Sequence, residues 1–376
     1  MIYLDYAASA PPFPQVLSRM SETACQMFGN PGALHTAGAQ SRKTLQECRK
    51  VLAAEINVRP EEIFFTSGGT EANNWALHLI SQNPGKNHIV CYAAEHSSVL
   101  EPVRALQQKG YAVTYLRPDS SGFLAPEAVE NALRQDSGAI CVQAVNNETG
   151  VIQDVDSLAR IARRHRVCYF CDGVQSFGHV DQNLHKADMI SLSAHKFGGP
   201  RGIGCLVVRQ PYNPLPFHLG GGQEFGKRSG TENLPGIAGM ALAARLSRET
   251  LALEAQRLKV LRQTLEQGLE NICPGLLIAG QAAARSSILS CRFPGIPAEE
   301  MVMRLDLQGV CASPGAACAA RSHEPSHVLL AMGYTPAEAS EFVRFSLGPD
   351  TTQDQILQTI HIVEQIIQKR SKSNGT

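Results

Sequence analysis

The stretch SLSAHKFGGPRGIG, residues 191–204, is the strongest chemical signal in the chain, because it joins a strand to a glycine-rich loop through a lysine. The strand is the apolar run MISLSA (189–194), and Lys196 follows just beyond its end. In an open α/β sheet, ligands bind in the crevice beyond the carboxyl ends of the strands. This position predicts that Lys196 faces a binding site. Most lysines are ordinary surface residues, so the assignment of Lys196 to a binding site needs support from other residues of the chain.

Apolar segments of strand length alternate with helical patterns along the first two thirds of the chain. The predicted strands lie at 62–66, 88–93, 112–117, 139–145, 167–174, 189–194 and 204–209. Helical patterns between them lie at 70–82, 97–109, 126–134 and 154–165. Apolar strands separated by helices predict an α/β protein with a mostly parallel, seven-stranded sheet that is covered on both faces.

The last third of the chain shows a different order of patterns. It contains three helical patterns and two strand-like segments, at 233–272, 298–308, 352–369, 286–293 and 342–348. A chain of 376 residues exceeds the usual size of one core. We predict a large domain at 14–255 and a smaller α+β domain at 1–13 and 256–376. Thr335 in TPAE is predicted to cap a helix, and the tail 371–376 is predicted to fray.

Composition excludes several function classes. The 34 basic and 34 acidic side chains balance, which argues against a nucleic-acid binder. No apolar run reaches the roughly 18 residues of a membrane span, and the first residues do not resemble a signal peptide. We therefore expect a cytoplasmic protein whose eleven cysteines are reduced. Cys168 and Cys171 are three apart on a predicted strand, so their sulfurs should face opposite ways, and we predict no metal site.

Asp172 ends another apolar strand, in the segment CDGVQ. A carboxylate in a buried position is costly unless it meets a cation. A lysine that forms a Schiff base with pyridoxal phosphate (PLP), together with an aspartate that holds the protonated pyridine nitrogen, is a known pairing. The simpler alternative is that Asp172 caps the turn that follows it.

Two junctions between strands and helices add to this pattern. TSGGTEAN (66–73) follows a strand and opens a helix, and its glycines and free N–H groups favour a phosphate. It lacks the lysine of a nucleotide P-loop, which speaks against ATP. His96 in EHSSV lies at a similar junction, although a lone histidine is more often structural.

With these residues assembled, the chain resembles the group I (NifS/IscS-like) cysteine desulfurases, which are class V, fold-type I PLP enzymes of the aminotransferase superfamily. The resemblance covers nearly the whole chain, and its motifs occur in family order. They are YLDYAAS (3–9), FGNP (28–31), FTSGGTE (65–71), EHSSV (95–99), NNETG (146–150), DGVQ (172–175), SAHKFGGPRGIG (193–204), GGGQE (220–224), RSGTEN (228–233), GAAC (315–318) and RFSLG (344–348).

The resemblance implies a role for each matching residue of the cofactor site. Lys196 would form the Schiff base, Asp172 would pair with the pyridine nitrogen, and Gln175 would bond the phenolic oxygen. His96 would stack on the ring and help to move protons. The residues expected to hold the phosphate are Gly69, Thr70, Ser193 and His195, with Thr231 reaching it from a partner subunit of a homodimer.

The substrate residues follow from the same resemblance. Asn147 would lie beside the substrate and the ring, and Asn30 and Arg344 would bind the carboxylate of the amino acid. Arg344 also fits this role by its own chemistry, because a guanidinium holds a carboxylate through two parallel hydrogen bonds. A plain surface ion pair is the alternative for Arg344.

Cys318 lies in the small-residue stretch SPGAACAARSHEPS (313–326). Such a loop suits a thiolate that must reach both a buried ring and an outside acceptor. The alternative, a small buried cysteine, better describes the six cysteines within strand patterns, namely Cys91, Cys141, Cys168, Cys171, Cys205 and Cys291. The resemblance therefore implies that Cys318 captures the sulfur of L-cysteine as a persulfide.

The expected reaction is the conversion of L-cysteine to L-alanine, with the sulfur passed to an acceptor protein. An iron–sulfur scaffold and a tRNA-thiolation protein are the candidate acceptors. GAAC, GGGQE and GTEN also resemble selenocysteine lyases, so L-selenocysteine is an alternative substrate. A degenerate PLP-fold scaffold protein is an alternative of another class. It is disfavoured because Lys196, Asp172, His96, Arg344 and Cys318 are all present.

Overall fold

The computed structural model describes residues 1–315 and 324–374, with side chains described through residue 370. Its helices are α1 (Pro14–Gln26), α2 (Thr36–Ile56), α3 (Gly69–Ile80), α4 (Ser97–Gln108), α5 (Pro126–Ala132), α6 (Val155–His165), α7 (Gln223–Gly226), α8 (Leu234–Ile272), α9 (Ala298–Leu307), α10 (His327–Ala331), α11 (Pro336–Ala339) and α12 (Gln353–Asn374). Short 3₁₀ turns cover Pro60–Glu62, Leu184–Lys186 and Ala194–Lys196.

Thirteen strands accompany these helices in the described part of the chain. They are β1 (Ile2–Tyr3), β2 (Ile63–Thr66), β3 (His88–Tyr92), β4 (Ala112–Leu116), β5 (Ser137–Cys141), β6 (Cys168–Asp172), β7 (Met189–Ser193), β8 (Gly204–Val208), β9 (Leu277–Ile278), β10 (Ile288–Arg292), β11 (Val310–Cys311), β12 (Ser313–Pro314) and β13 (Phe342–Ser346). The first strand pairs in parallel with β11, which joins the amino terminus to the last third of the chain.

The main sheet contains all seven strands predicted for the first two thirds of the chain, in the order β2-β8-β7-β6-β5-β3-β4. Only β8 runs against its neighbours, and the other pairings are parallel. The predicted α/β fold is therefore confirmed. The prediction for β5 ran too far, because the strand ends at Cys141 and the chain then bends, so that Val145 bridges to Ile152 instead.

Apolar side chains cover both faces of this sheet, as a mostly parallel sheet requires. One face packs against α1, α2, α6 and α8, and the other packs against α3 and α4. Cys171 lies in the first of these clusters and Cys168 in the second. The expectation that the two sulfurs face opposite ways is confirmed.

A second core lies beside a four-stranded antiparallel sheet of order β12-β13-β10-β9. It draws its residues from β1, α9, α12 and the carboxyl half of α8, where Leu258, Leu265 and Leu269 are buried. The amino half of α8 packs instead in the main core, through residues such as Ile237 and Ala244. One helix thus contributes to both cores.

The helices α1, α2 and α12 differ from the prediction made from the sequence. The sequence patterns did not predict α1 and α2, which pack beside α8 and cover one face of the main sheet. Helix α12 continues to Asn374, beyond the predicted end at residue 369, because no glycine or proline interrupts it before Gly375. The capping box at Thr335 and Glu338 is confirmed. Among the described residues, no helix is long and apolar enough to cross a membrane.

Candidate active site

A cavity of about 590 Å³ opens beyond the carboxyl ends of β6 and β7, beside the first turns of α3 and α4. Ten of the residues that the sequence predicted for the site line it. They are Gly69, Thr70, His96, Asn147, Asp172, Gln175, Ser193, His195, Lys196 and Arg344. The fold brings the residues around β6 and β7 together because parallel strands end at the same edge of the sheet, and Arg344 is added from β13 of the second sheet.

Lys196 ends the 3₁₀ turn that follows β7, and its amine is held by the amino-terminal segment. The Nζ atom donates to the carbonyl oxygens of Ala7 at 2.5 Å and Ala8 at 3.0 Å. Gln175 donates from Nε2 to the same Ala7 carbonyl at 2.7 Å. The lysine therefore lies in the cavity in a fixed position, and the surface-lysine alternative does not describe it.

Asp172 is buried at the end of β6. Its Oδ2 atom accepts a hydrogen bond from Nδ2 of Asn73 at 2.8 Å, and Oδ1 accepts from the backbone N–H of Val174 at 2.9 Å. The second contact is the turn-capping bond of the simpler alternative. The first contact, together with the position of Asp172 in the cavity wall, leaves a carboxylate that can also serve a cationic ring.

His96 precedes α4 and caps its first turn, because Nδ1 accepts the backbone N–H of Ser98 at 3.1 Å. Burial lowers the pKa of the imidazole. The carboxylate of Asp172 opposes this shift, and the charges of Lys196 and His327 add to it. The ring is therefore neutral near pH 7 and lines the cavity wall.

Near the first turn of α3, the cavity wall can bind an anion. Gly69 opens α3, so the free N–H groups of a helix start face the cavity. A Cβ atom on Gly69 would lie 2.9 Å from the Val174 side chain, so only glycine lets the helix start come this close to the sheet. Ser193 and His195 lie on the same side, and burial lowers the pKa of His195 to about 4.

Arg344 lies in the middle of β13 with only 2% of its surface exposed. Its Nη2 donates to Oδ1 of Asp5 at 2.7 Å, and its Nη1 donates to the backbone carbonyl of Asn147 at 3.0 Å. The Nε–H is buried and has no hydrogen-bond partner in the described part of the chain. A plain surface ion pair is thus the wrong description of Arg344, because the guanidinium is a buried group in the cavity wall.

Several residues of the cavity were not predicted. Asp5, Ala7 and Ala8 hold Arg344 and Lys196, although the motif YLDYAAS was noticed only as a mark of resemblance. Asn73 binds Asp172. Glu148, next to Asn147, is buried; burial raises its pKa, and it accepts the hydroxyl of Ser326 at 2.5 Å. The sequence signal for Asn73 and Glu148 was their place in the SGGTEAN and NNETG motifs.

Two predicted residues of the described part of the chain, Asn30 and Thr231, do not line the cavity. Asn30 is exposed and accepts the N–H of Gly32 at 2.8 Å, and Thr231 is also exposed. Their assigned roles stay predictions, and for Thr231 the prediction itself places the target site in a partner subunit. Cys318 falls in residues 316–323, which lie outside the described residues.

The other cysteines behave as the sequence predicted. The six that were assigned to strand cores are all buried in β3, β5, β6, β8 and β10. Burial raises the pKa of each of these thiols, so they are protonated and unreactive. Within the described ranges, no group of histidine, cysteine and acidic residues could hold a metal ion.

A family model described as "Aminotransferase class-V" matches residues 2–358. The chain belongs to this family. Within the class-V aminotransferases, it is similar over nearly its whole length to proteins named cysteine desulfurase IscS. The protein from Dictyoglomus turgidum is 37% identical over 374 residues, covering 98% of this chain and 95% of that protein. The one from Serratia proteamaculans is 38% identical over 376 residues, covering 97% and 92%.

Solved structures of this class-V family agree with the fold. A NifS-like protein superposes with a TM-score of 0.91 at 32% identity, covering 98% of this chain and 99% of that chain. SspA in complex with cysteine superposes with a TM-score of 0.81 at 32% identity, covering 94% and 100%. The predicted resemblance to NifS/IscS-like cysteine desulfurases is therefore confirmed.

Proposed function

We propose that this protein is a PLP-dependent cysteine desulfurase that converts L-cysteine to L-alanine and captures the sulfur on Cys318. The observation that carries the proposal is the convergence of an amine, a carboxylate and a guanidinium on one cavity. Asp172 ends β6, Lys196 follows β7 and Arg344 lies in the middle of β13, and all three line the cavity. The IscS-type relatives and the cysteine complex of SspA support L-cysteine as the substrate.

The residues present fit PLP. Gly69 leaves the start of α3 open for a phosphate, where a Cβ atom would meet Val174. Asp172 offers a buried carboxylate for the pyridine nitrogen, and Gln175 offers its side chain for the phenolic oxygen. Thr70, Ser193 and His195 complete the phosphate contacts on this side. When bound, the cofactor supplies an aldehyde that links to amines and a cationic ring that withdraws electrons.

Different residues of the chain bind the substrate, orient it and move its protons. Arg344 binds the substrate carboxylate and, with Asn147 beside it, orients the Cα–H bond. Lys196 would take the α-proton on Nζ, and the carbonyls of Ala7 and Ala8 hold that nitrogen in place. His96, which lines the cavity, would help to hold the cofactor ring and to move protons of the substrate.

The sulfur step uses a thiolate and needs no external oxidant or reductant. The thiolate of Cys318 attacks the substrate sulfur, so an S–S bond forms while the Cβ–S bond breaks. The electron pair of the broken bond stays on carbon, which is protonated to give alanine. Glu324 and Pro325, the first described residues after this segment, line the cavity. This flank supports Cys318 as the acceptor.

The remaining parts of the proposal concern partners. The persulfide would pass its sulfur to an acceptor protein, either an iron–sulfur scaffold or a tRNA-thiolation protein, in the cytoplasm. The protein would act as a homodimer, in which the exposed Thr231 completes the phosphate site of the partner subunit, and Asn30 contributes to binding the substrate carboxylate. The exposure of both residues in the single chain supports this arrangement.

The test measures alanine formation by the PLP-loaded protein from L-cysteine and from L-selenocysteine, for the wild type and for Cys318→Ala. We expect the wild type to turn over cysteine and the variant to lose this turnover. Cys311→Ala is the matched control, because Cys311 is a half-buried thiol a few residues upstream in β11. Equal cysteine turnover by Cys318→Ala would remove the nucleophile assignment. Turnover of selenocysteine alone would identify a selenocysteine lyase, and no turnover of either substrate would support a scaffold role.

A further inference from the structure

A chain of hydrogen bonds joins Asp172 to His96 through two residues that have no role in the reaction described above. Asn73 donates from Nδ2 to Oδ2 of Asp172 at 2.8 Å and to Oγ of Ser98 at 2.8 Å. Oγ of Ser98 lies 2.7 Å from Nδ1 of His96. Asn73 and Ser98 are buried, with 1% and 9% of their surfaces exposed.

The direction of every bond in this chain is determined by Asp172. The carboxylate can only accept, so the amide of Asn73 must present its NH₂ group to it. The second hydrogen of that NH₂ group points to Ser98, whose oxygen therefore accepts it. The single hydroxyl proton of Ser98 is then left for Nδ1 of His96. The Oδ1 atom of Asn73 is buried and has no partner in the described part of the chain.

Nδ1 of His96 receives a second donor, the backbone N–H of Ser98 at 3.1 Å. With two donors directed at it, Nδ1 cannot carry a proton, because its N–H would face the N–H of Ser98. The proton of the neutral ring is therefore on Nε2. Among the described residues, Nε2 has no hydrogen-bond partner, and the ring lines the cavity.

We propose that Asn73 and Ser98 are positioning residues that hold His96 as the neutral Nε2–H tautomer, so that it donates a hydrogen bond to the substrate and does not take its α-proton. This inference rests on the proposed function and deepens it. Lys196 remains the group that accepts the α-proton. The Nε2–H of His96 stabilises negative charge that develops on the substrate, which a fixed donor in a buried site does well.

The charged groups around the ring agree with this assignment. Burial lowers the pKa of His96, and the positive charges of Lys196 and His327 act in the same direction, while only Asp172 opposes them. The hydrogen-bond chain also gives Asp172 a neutral donor rather than the imidazolium of His96. The carboxylate thus keeps its negative charge for the pyridine nitrogen of the cofactor.

The first test uses the cofactor-free protein and does not depend on activity. The ring nitrogens of ¹⁵N-labelled histidine are observed by long-range ¹H–¹⁵N NMR, and His96 is assigned by comparison with His96→Gln. We expect a protonated Nε2 and an unprotonated Nδ1 in the wild type at neutral pH, persisting below the usual histidine pKa because burial lowers the pKa of His96. Signals of the Nδ1–H tautomer or of the imidazolium at neutral pH would overturn the proposal.

Variants test whether the chain causes the tautomer. Asn73→Ala and Ser98→Ala should each introduce the second tautomer, and Ser98→Thr, which keeps the hydroxyl, should restore the wild-type signals. Asn74→Ala is the matched control, because Asn74 is the next residue on α3 and, among the described residues, its side chain binds only the carbonyl of Thr70. Unchanged ring signals in both Asn73→Ala and Ser98→Ala would overturn the proposal. Circular dichroism establishes that each variant is folded.

Activity of the loaded enzyme gives a separate readout. Ser98→Ala should lower kcat for alanine formation by about tenfold with KM nearly unchanged, as expected when one hydrogen bond to the reacting centre is weakened. If the protein made no alanine at all, the proposed function would fail, while the NMR result would still decide the tautomer. An equal loss in Ser98→Thr and Ser98→Ala would contradict the role of the hydroxyl.

Discussion

Replacing Arg344 by methionine should weaken the binding of any ligand that carries a carboxylate next to its amine. The two side chains are similar in length, so the change removes the charge and the donors while keeping most of the apolar stem. Arg344 is buried in the middle of β13, where water cannot replace the lost donors. The loss should therefore appear in KM for cysteine and in the inhibition constant of alanine.

The size of the effect follows from the contacts of the guanidinium. Arg344 already donates to Asp5 at 2.7 Å and to the carbonyl of Asn147 at 3.0 Å, and its buried Nε–H is unpaired. A hydrogen bond to a charged group contributes about 1.5–3 kcal/mol. Since about 1.4 kcal/mol corresponds to a factor of ten, one lost bond predicts binding weaker by roughly 10- to 150-fold.

The assay compares L-alanine with ethylamine as competitive inhibitors of the wild type and Arg344→Met. Ethylamine keeps the amine and the methyl group of alanine and lacks its carboxylate. We expect the variant to lose affinity for alanine by the factor above and for ethylamine by less than about threefold. Arg292→Met is the control, because Arg292 pairs with Glu338 and Glu341 away from the cavity. Equal losses for both ligands would refute the assignment of Arg344 to the carboxylate.

Three further predictions concern the cofactor amine, a buried ion pair and acid stability. Lys196→Ala should abolish the visible absorption that PLP produces in the protein, and an unchanged band would remove the lysine assignment. Glu224→Ala should lower the free energy of unfolding by about 3–5 kcal/mol in urea titrations, because it leaves the charge of buried Arg49 without its carboxylate. The exposed Glu249→Ala should change it by less than about 0.5 kcal/mol, and a similar loss in both would contradict the argument. Burial lowers the pKa of His195 to about 4 in the folded protein. As the pH falls, this histidine is therefore protonated in the unfolded chain at a higher pH than in the folded chain. Stability of the cofactor-free protein should therefore decrease from about pH 6.5 to about pH 4, by up to about 3 kcal/mol, and His195→Gln should flatten that profile. An identical pH profile in the variant would show that other groups are responsible.

The sheet could be predicted because its strands are buried on both faces and read as apolar runs between helices. Helix α2 could not, because its buried face carries Ser41, Thr44 and Arg49 instead of a regular apolar stripe. These polar residues are buried because of tertiary contacts. Arg49 reaches Glu224, which is 175 positions away, and lies against the ring of Phe65. A pattern of local hydrophobicity contains no information about such a contact.

In the site, too, the residues that follow strand ends could be predicted, whereas the residues held by tertiary contacts could not. Lys196 and Asp172 follow strands whose ends must meet, so their proximity could be inferred from the order of the elements. Asn73 lies inside a helix, and nothing in its spacing shows that its amide binds Asp172 and Ser98. Asp5 lies near the amino terminus, far in sequence from Arg344. Both residues act through hydrogen bonds that only the folded chain creates.

The amino-terminal segment 4–9 holds Arg344 and Lys196, which belong to separate cores, at a fixed distance from each other. Arg344 belongs to the sheet of the second core, whereas Lys196 follows a strand of the main sheet. Asp5 binds the first, and the carbonyls of Ala7 and Ala8 bind the second. The segment itself is fixed, because Leu4 is buried in the second core and the N–H of Ala7 donates to Ser346 at 2.9 Å. A substrate bound by its carboxylate to Arg344 is therefore presented to Lys196 at a distance set by the short hydrogen-bonded turn at residues 5–9. Such fixed spacing allows a proton transfer that a displacement of about 1 Å would slow strongly.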